Sequence, residues 1–338
     1  MNIILALTFQ YLLTIFLLSV AHKKNLLLDI PNYRKIHNVG VPLIGGLAIF
    51  ISYLFFFILD AFNNNFSYFT ATNSLIFFAI FIVFFSGLID DQKNTSWQFR
   101  IFVQLISSIL VVVFTDLKVT EIGTIFFEEV ELLSLSIPIT VLCIIGLTNA
   151  LNLIDGIDGS AGIHSISVMS FLIIFSNNAN SIDYFVLALI TIIGGYLIFN
   201  LSEKRKIFLG DSGSLMLGFI ISLLLIFYSQ NPTLGVNPNI VVWLVALPIF
   251  DLFSVILKRR KAKHRTFDPN KDHLHHILIE IGFSKQEVLL VIFCLIIIMQ
   301  IIGYMIIESF LSSMSYPIFI VLFALYHYKT SSLQAINK

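Results

Sequence analysis

Charge is what this sequence has little of. Asp, Glu, Lys and Arg make up 12% of its 338 residues, about half the share found in ordinary soluble domains, too little to clothe a water-facing surface. Cysteine is nearly absent too. Cys143 and Cys294 lie far apart inside apolar stretches, which leaves no disulfide framework and no thiolate metal site. A formal net charge of zero removes the electrostatic footprint of a nucleic-acid binder. What the chain has is apolar length: 57% hydrophobic residues and a mean hydropathy of +0.93.

A helix crosses a bilayer with roughly 20 apolar residues. Eleven such runs occur, at about 3–21, 42–60, 73–89, 99–116, 136–152, 160–177, 183–200, 212–229, 237–257, 286–307 and 315–328. They predict an all-α integral membrane protein, a single polytopic domain over 1–338 with about eleven transmembrane helices. With the N-terminus outside, every Lys and Arg except Lys118 falls in an inner loop or the tail. The positive-inside bias therefore predicts a cytoplasmic C-terminus, with inner loops at about 22–41, 90–98, 153–159, 201–211 and 258–285. The first run has no basic residues ahead of it and Lys23-Lys24 behind it, so it reads as an uncleaved helix despite Ser19-Val20-Ala21. The outer segment from Lys118 to Ser136 predicts a short β-hairpin around Gly123, and Pro248 predicts a bend in the ninth helix.

The carboxylates gather at the inner ends of these runs: Asp90-Asp91, Asp155 with Asp158, Asp211 and Asp251. Acids on the side that carries the bases suggest a metal and an anionic substrate. A lone acid at a helix end is usually just solvated, but adjacent Asp90 and Asp91 repel each other unless a cation or proton is shared. Asn149, Asn152 and Asp155 step by three and so stack on one helix face, continuing into a turn with Gly156, Asp158 and Gly159. Asn can merely join helices, which does not account for the acids that follow. Around Phe208, the Gly210-Asp211-Ser212-Gly213-Ser214 segment opens a helix whose N–H groups suit an anion, with Asp211 able to hold a hard cation; a plain N-cap is the bland reading. The longest inner loop carries Arg265, His273, His275 and His276. Its front is a basic anchor, and with no Cys nearby the histidines fit phosphate recognition better than structural zinc.

Taken in order, Asp29-Ile30-Pro31-Asn32-Tyr33-Arg34-Lys35, Pro42-Leu43-Ile44-Gly45-Gly46, Asp90-Asp91, Asn152 to Gly159, Gly210 to Ser214 and His273-Leu274-His275-His276 resemble the motifs of the polyprenyl-phosphate N-acetylhexosamine-1-phosphate transferases. The resemblance covers nearly the whole chain. It implies transfer of a sugar-1-phosphate from a UDP-N-acetylhexosamine to undecaprenyl phosphate, with UMP released and magnesium (or manganese in its place) required, as the first step of an envelope polysaccharide. It places the enzyme in the bacterial inner membrane, multi-pass, with its site on the cytoplasmic face, and admits a homodimer. Carried over residue by residue, Asp211 resembles the magnesium ligand and Asp90 and Asp91 the catalytic pair. Asn152, Asp155, Asp158 and Phe208 resemble nucleoside and diphosphate contacts, and His273, His275 and His276 the site that meets the sugar phosphates. The interrupted histidine motif, with Leu274 where Ile is usual, resembles the N-acetylglucosamine-1-phosphate branch, so UDP-N-acetylglucosamine is the expected donor. The alternative within the family is the phospho-N-acetylmuramoyl-pentapeptide transferase.

An ion-coupled transporter is the reading from another class. Transporters hold intramembrane acids near the midplane between internal repeats, whereas these acids lie at helix ends and no clear repeat is present.

Overall fold

In the computed structural model, residues 1–29, 40–63, 70–177, 181–261 and 272–336 are described. Their elements run α1 (Asn2–Lys24), β1 (Leu28–Asp29), β2 (Val41–Pro42), α2 (Gly45–Asn63), α3 (Ala71–Lys93), α4 (Trp97–Phe114), β3 (Glu121–Ile125), β4 (Glu128–Glu131), α5 (Ser136–Ile154), α6 (Ser160–Phe175), α7 (Ser181–Asn200), α8 (Gly210–Ser229), α9 (Val241–Leu244), α10 (Ala246–Lys261), α11 (Leu274–Glu280), α12 (Lys285–Ile307) and α13 (Ser315–Ile336). The chain is an all-α integral membrane protein, and its helices fall on the apolar runs read from the sequence. Among the described residues eight helices are long and apolar enough to cross a membrane, or nine if one bent pair is a single span. The expected eleven included α6, which has 16 residues, and α13, whose latter half carries Tyr326-His327-Tyr328-Lys329.

The bent pair is the ninth run. Residues Pro238–Leu244 and Ala246–Lys261 meet at 66°. Pro248 has no N–H to give and its ring crowds the carbonyl four residues back, at Leu244, so the helix restarts at Ala246 with Ile249 N–H donating to Val245 (3.2 Å) as an early bond.

The described residues form two units. In the first, Met1–Asp116 with Ala179–Ile220, α1 packs on α2 and α7, and α3 on α4. Phe50 of α2 stacks on Phe84 of α3 with ring centres 4.2 Å apart. Gln10, fully buried on α1, donates through Nε2 to the Ile192 carbonyl at 2.7 Å and ties α1 to α7.

In the second unit, Leu117–Asn178 with Ile221–Lys338, α10 packs on α5 and α13, and α6 on α12. The expected hairpin is there: β3 and β4 pair antiparallel, with Ile125 opposite Glu128. Its tip is Phe126-Phe127, at φ 48° and 72°, while Gly123 (φ 89°) lies in the strand where the register shifts. Glycine thus makes the irregularity rather than the turn. The side chains of Gln230 and Asn239 hold the hairpin through backbone groups of Thr120, Glu121 and Thr124. In the first unit, a two-residue ladder, β1 with β2, had no counterpart in the sequence reading.

Candidate active site

In the first unit, α3 and α4 are separated only by Asn94, Thr95 and Ser96. Asn94 closes α3 in the left-handed region (φ 48°), and Ser96 caps α4 by accepting from the Phe99 N–H at 3.4 Å. So tight a reversal lays the first turn of α4 beside the last turn of α3. The Nη1 of Arg100 therefore donates to Asp90 Oδ2 at 3.1 Å and to Asp211 Oδ2 at 2.9 Å. Asp90 Oδ1 accepts from the Thr95 N–H (2.6 Å) and from the Thr95 hydroxyl.

Asp91 has a different task. Its carboxylate accepts the N–H groups of Asp211 (2.7 Å) and Ser212 (3.0 Å), which are the orphan donors at the start of α8. The sequence reading offered those donors to a substrate anion; here the anion is the chain's own. Gly210 stands at φ 75°, and a Cβ there would meet the Asp91 carboxylate. Gly87 abuts the backbone of Asp211 and Ser212, and Gly46 that of Gly213, so both let α8 come close. The Pro42-to-Gly46 segment fixes the approach to α8: Phe208 N–H donates to the Pro42 carbonyl (2.8 Å), Gly45 N–H to Phe208 (2.9 Å) and Gly46 N–H to Leu209 (2.8 Å). The Phe208 ring is half-buried, with Lys206 Nζ 5.9 Å from its centre.

Two carboxylates thus share one guanidinium with a third beside them on the backbone of Asp211, an excess of negative charge suited to a cation. Asp90 and Asp211 each present an oxygen to one nitrogen of Arg100, and the Asp211 side chain keeps 30% of its surface exposed. No group of three or more His, Cys, Asp or Glu able to hold a metal occurs among the described residues. Magnesium does not need one, since it is commonly bound by one or two carboxylates, with water and substrate phosphates completing its shell. The residues fit a magnesium ion on those terms.

In the second unit, α5 ends at Ile154 with Asp155 as its cap, and α6 begins at Ser160 after Gly159 at φ 84°. Buried Ser160 closes the loop by donating to the carbonyls of Ile154 (2.5 Å) and Ile157 (2.7 Å). Asn149, Asn152, Asp155 and Asp158 are all half-buried, and the Asn149 amide donates to its own helix at the Ile145 carbonyl (2.8 Å). Gly156 is a glycine for space, not conformation. A Cβ there would fall on the His275 ring, so the Asp155–Asp158 loop and the histidine motif are one packed cluster.

Asp251 organises that motif. Its carboxylate accepts from His273 Nδ1 (2.7 Å), the Leu274 N–H (2.9 Å) and the Tyr326 hydroxyl (3.1 Å). An ionised carboxylate only accepts, so Nδ1 of His273 carries the proton of that bond and Nε2 is left for other work. His273 and His275 lie nearly parallel with ring centres 5.8 Å apart, and His276 meets His275 at 4.2 Å. Burial, then the neighbouring His276, pushes the His275 imidazole down to about 3, so it is neutral at physiological pH.

The sequence reading brought Asp90, Asp91 and Asp211 together, and the first unit does so; it grouped Asn152, Asp155 and Asp158 with Phe208 and gave the histidines a separate role, whereas in the second unit His275 packs against the loop of the two acids at Gly156. It passed over Arg100, counted only as a loop charge although it opens an apolar helix nine residues after Asp91. Asp251 was noted as an acid without a role, and Tyr326 carried no signal inside an apolar run. Arg265 lies outside the described residues.

Glycosyl transferase family 4 matches residues 73–229, the stretch from α3 through α8. A Bacillus subtilis (strain 168) protein named "Probable undecaprenyl-phosphate N-acetylglucosaminyl 1-phosphate transferase" is 33% identical over 268 residues, covering 78% of this chain and 73% of its own length. The Escherichia coli (strain K12) undecaprenyl-phosphate alpha-N-acetylglucosaminyl 1-phosphate transferase is 29% identical over 293 residues, 84% of this chain and 77% of that protein. A Yersinia pestis protein of the same name is 28% identical over 308 residues, 88% and 82% of the two chains. With those relatives aligned across most of both lengths, and the matched motifs folded around the carboxylates that the site requires, the chain belongs to glycosyl transferase family 4.

Proposed function

We propose that this protein transfers N-acetylglucosamine-1-phosphate from UDP-N-acetylglucosamine to undecaprenyl phosphate, releasing UMP, on the cytoplasmic face of a bacterial inner membrane. The names of its relatives support the acceptor and the transferred group, and the family supports a UDP donor. The observation that carries the chemistry is Arg100 held between Asp90 and Asp211 beside the capped start of α8. The concentration of Lys and Arg in the inner loops supports the face and an outside N-terminus.

In this reading a phosphate oxygen of the lipid bonds to the phosphorus that carries the sugar, and the bond from that phosphorus to the bridging oxygen breaks. UMP leaves with the electron pair, and the sugar stays joined to the lipid through a diphosphate. A phosphate monoester has its second pKa near about 6, so the nucleophile is largely dianionic at neutral pH and no side chain has to remove a proton. The task of the protein is to bring anions together. Arg100 offers its donors to phosphate oxygens, Asp91 keeps Asp211 in register by holding its backbone, and Thr95 fixes Asp90. Asp211 and Asp90 would hold magnesium, which when bound supplies charge neutralisation for the phosphates. In the second unit, His273 in its imidazolium form, with Nδ1–H on Asp251, donates Nε2–H to a phosphate oxygen, with Asn152, Asp155, Asp158 and Arg265 as further contacts to the UDP-sugar. His275, neutral and packed on Gly156, shapes the loop that carries the two acids.

Purified protein in nanodiscs, given a panel of UDP-sugars with and without undecaprenyl phosphate, tests this. UMP release that needs the lipid and is fastest with UDP-N-acetylglucosamine supports the reading. Preference for the muramoyl-pentapeptide donor, or substrate movement across vesicles without UMP release, refutes it.

A further inference from the structure

The last helix reaches back to the histidine motif along one polar stripe. Tyr326 donates to Asp251 Oδ1 at 3.1 Å. One residue on, His327 Nδ1 lies 3.0 Å from the Ser254 hydroxyl, and Thr330 shares that hydroxyl at 3.3 Å. Two turns after Tyr326, Gln334 donates to Asp272 Oδ1 at 2.5 Å, and Asp272 also faces Arg259 of α10 at 3.7 Å. Asp251 and Asp272 are buried, at 3% and 9% exposure, and they bracket the point that matters: Asp272 precedes His273 in the chain, and Asp251 holds the His273 ring and the next N–H.

Polar side chains on a helix of this kind would ordinarily be expected to face water, since each is expensive to place against lipid. Here four of them share one face, at i, i+1, i+4 and i+8, and each ends on a residue of α10 or on the peptide leading into His273. We propose that α13 is the positioning arm of the histidine motif, with Tyr326 and Gln334 as positioning residues that fix the His273 ring through Asp251 and Asp272. Removing the Tyr326 hydroxyl leaves Asp251 bonded to His273 and to the Leu274 N–H but takes away one of the two donors on Oδ1, so the carboxylate is held less firmly and the ring loses precision of direction rather than its bond. This rests on the phosphate-facing role proposed above for His273.

The test uses the full chain in nanodiscs with Tyr326→Phe, Gln334→Ala and, as a control on the same helix, Tyr328→Phe, whose side chain is 73% exposed. A ring misdirected only as the transition state forms lowers kcat while leaving KM for UDP-N-acetylglucosamine within about twofold; roughly tenfold is the expected loss, the rate equivalent of one hydrogen bond. Tyr326→Phe and Gln334→Ala should show it, with unchanged thermal unfolding and a wild-type Tyr328→Phe. A second measurement needs no substrate: diethyl pyrocarbonate labelling at His273, read by mass spectrometry, should be several-fold faster in Tyr326→Phe and Gln334→Ala. If the wild type releases no UMP but labelling rises as stated, the functional reading fails and the arm stands. Labelling at wild-type rates in both variants, or a kcat loss matched by Tyr328→Phe or by lowered thermal stability, overturns the arm.

Discussion

The Asp91 carboxylate, at the end of one helix, receives the backbone N–H of Asp211 at the start of another, 2.7 Å away. A carboxylate from α3 thereby terminates the positive end of α8 and sets where Asp211 stands. Adjacent Asp90 and Asp91 divide the labour: one faces Arg100 with Asp211, the other holds the backbone that bears Asp211.

Asp91→Asn keeps one oxygen for those two N–H groups and sets an amide NH2 against the other. Loss of a helix cap costs about 1–2 kcal/mol, and the shift of Asp211 should lower kcat by more than tenfold. Because the lipid phosphate needs no base, raising the pH from 7 to 9 should restore neither Asp91→Asn nor Asp90→Asn. Recovery of either variant to near the wild-type rate in a pH–rate profile would make that residue a base.

In the proposed site a divalent cation would compete with Arg100 for the same two oxygens, those of Asp90 and Asp211. Arg100→Ala should therefore lower kcat, since a phosphate donor is lost, yet lower the magnesium concentration for half-maximal rate by several-fold, since Asp90 and Asp211 are released. Asp211→Asn should move that concentration the other way or abolish activity. A magnesium titration of each variant reads both signs, and an Arg100→Ala protein that needs more magnesium than wild type counts against the shared site. Lysine at this position should restore charge but not the planar guanidinium whose Nη1 lies between both acids.

His275 links the fold to pH. Its ordinary value of 6.5 falls to about 3 in the folded chain through burial. Between those values the unfolded chain binds a proton that the folded chain does not. Stability is thus highest above pH 6.5 and declines as the pH falls toward 3, by roughly 1.4 kcal/mol per pH unit. Thermal unfolding from pH 7 to 5 should show that decline in wild type and a flatter one in His275→Gln. Gly156→Ala should lose most activity, because its methyl group meets the His275 ring and must displace either the ring or the Asp155–Asp158 loop. An active, stable Gly156→Ala protein would separate the loop from the motif.

The helices could be read from the sequence because hydropathy over a span depends on no distant partner. The acids could be read because charge is rare in such a chain, so each exception stands out. Arg100 escaped because its meaning depends on a three-residue reversal between α3 and α4 that brings it over Asp90, and on α8 arriving 111 positions later. Gly156 was read only as part of a glycine turn, when its conformation is ordinary and its purpose is room for a ring 119 positions away. Tyr326 escaped because an apolar run hides a hydroxyl whose only signal is the helical spacing to His327, Thr330 and Gln334. Close approach, unlike polarity, leaves its mark in pairs of residues rather than in one stretch.

The central claim is that phosphate moves together with the sugar. UDP-N-acetylglucosamine labelled with 32P at the phosphate bearing the sugar, incubated with purified protein, magnesium and undecaprenyl phosphate, reads this directly. The label should pass into the organic-soluble lipid in amounts equal to the UMP formed, and Asp211→Asn should block both. Label that stays in water as UDP while the sugar enters the lipid would mean ordinary glycosyl transfer, and would contradict the account.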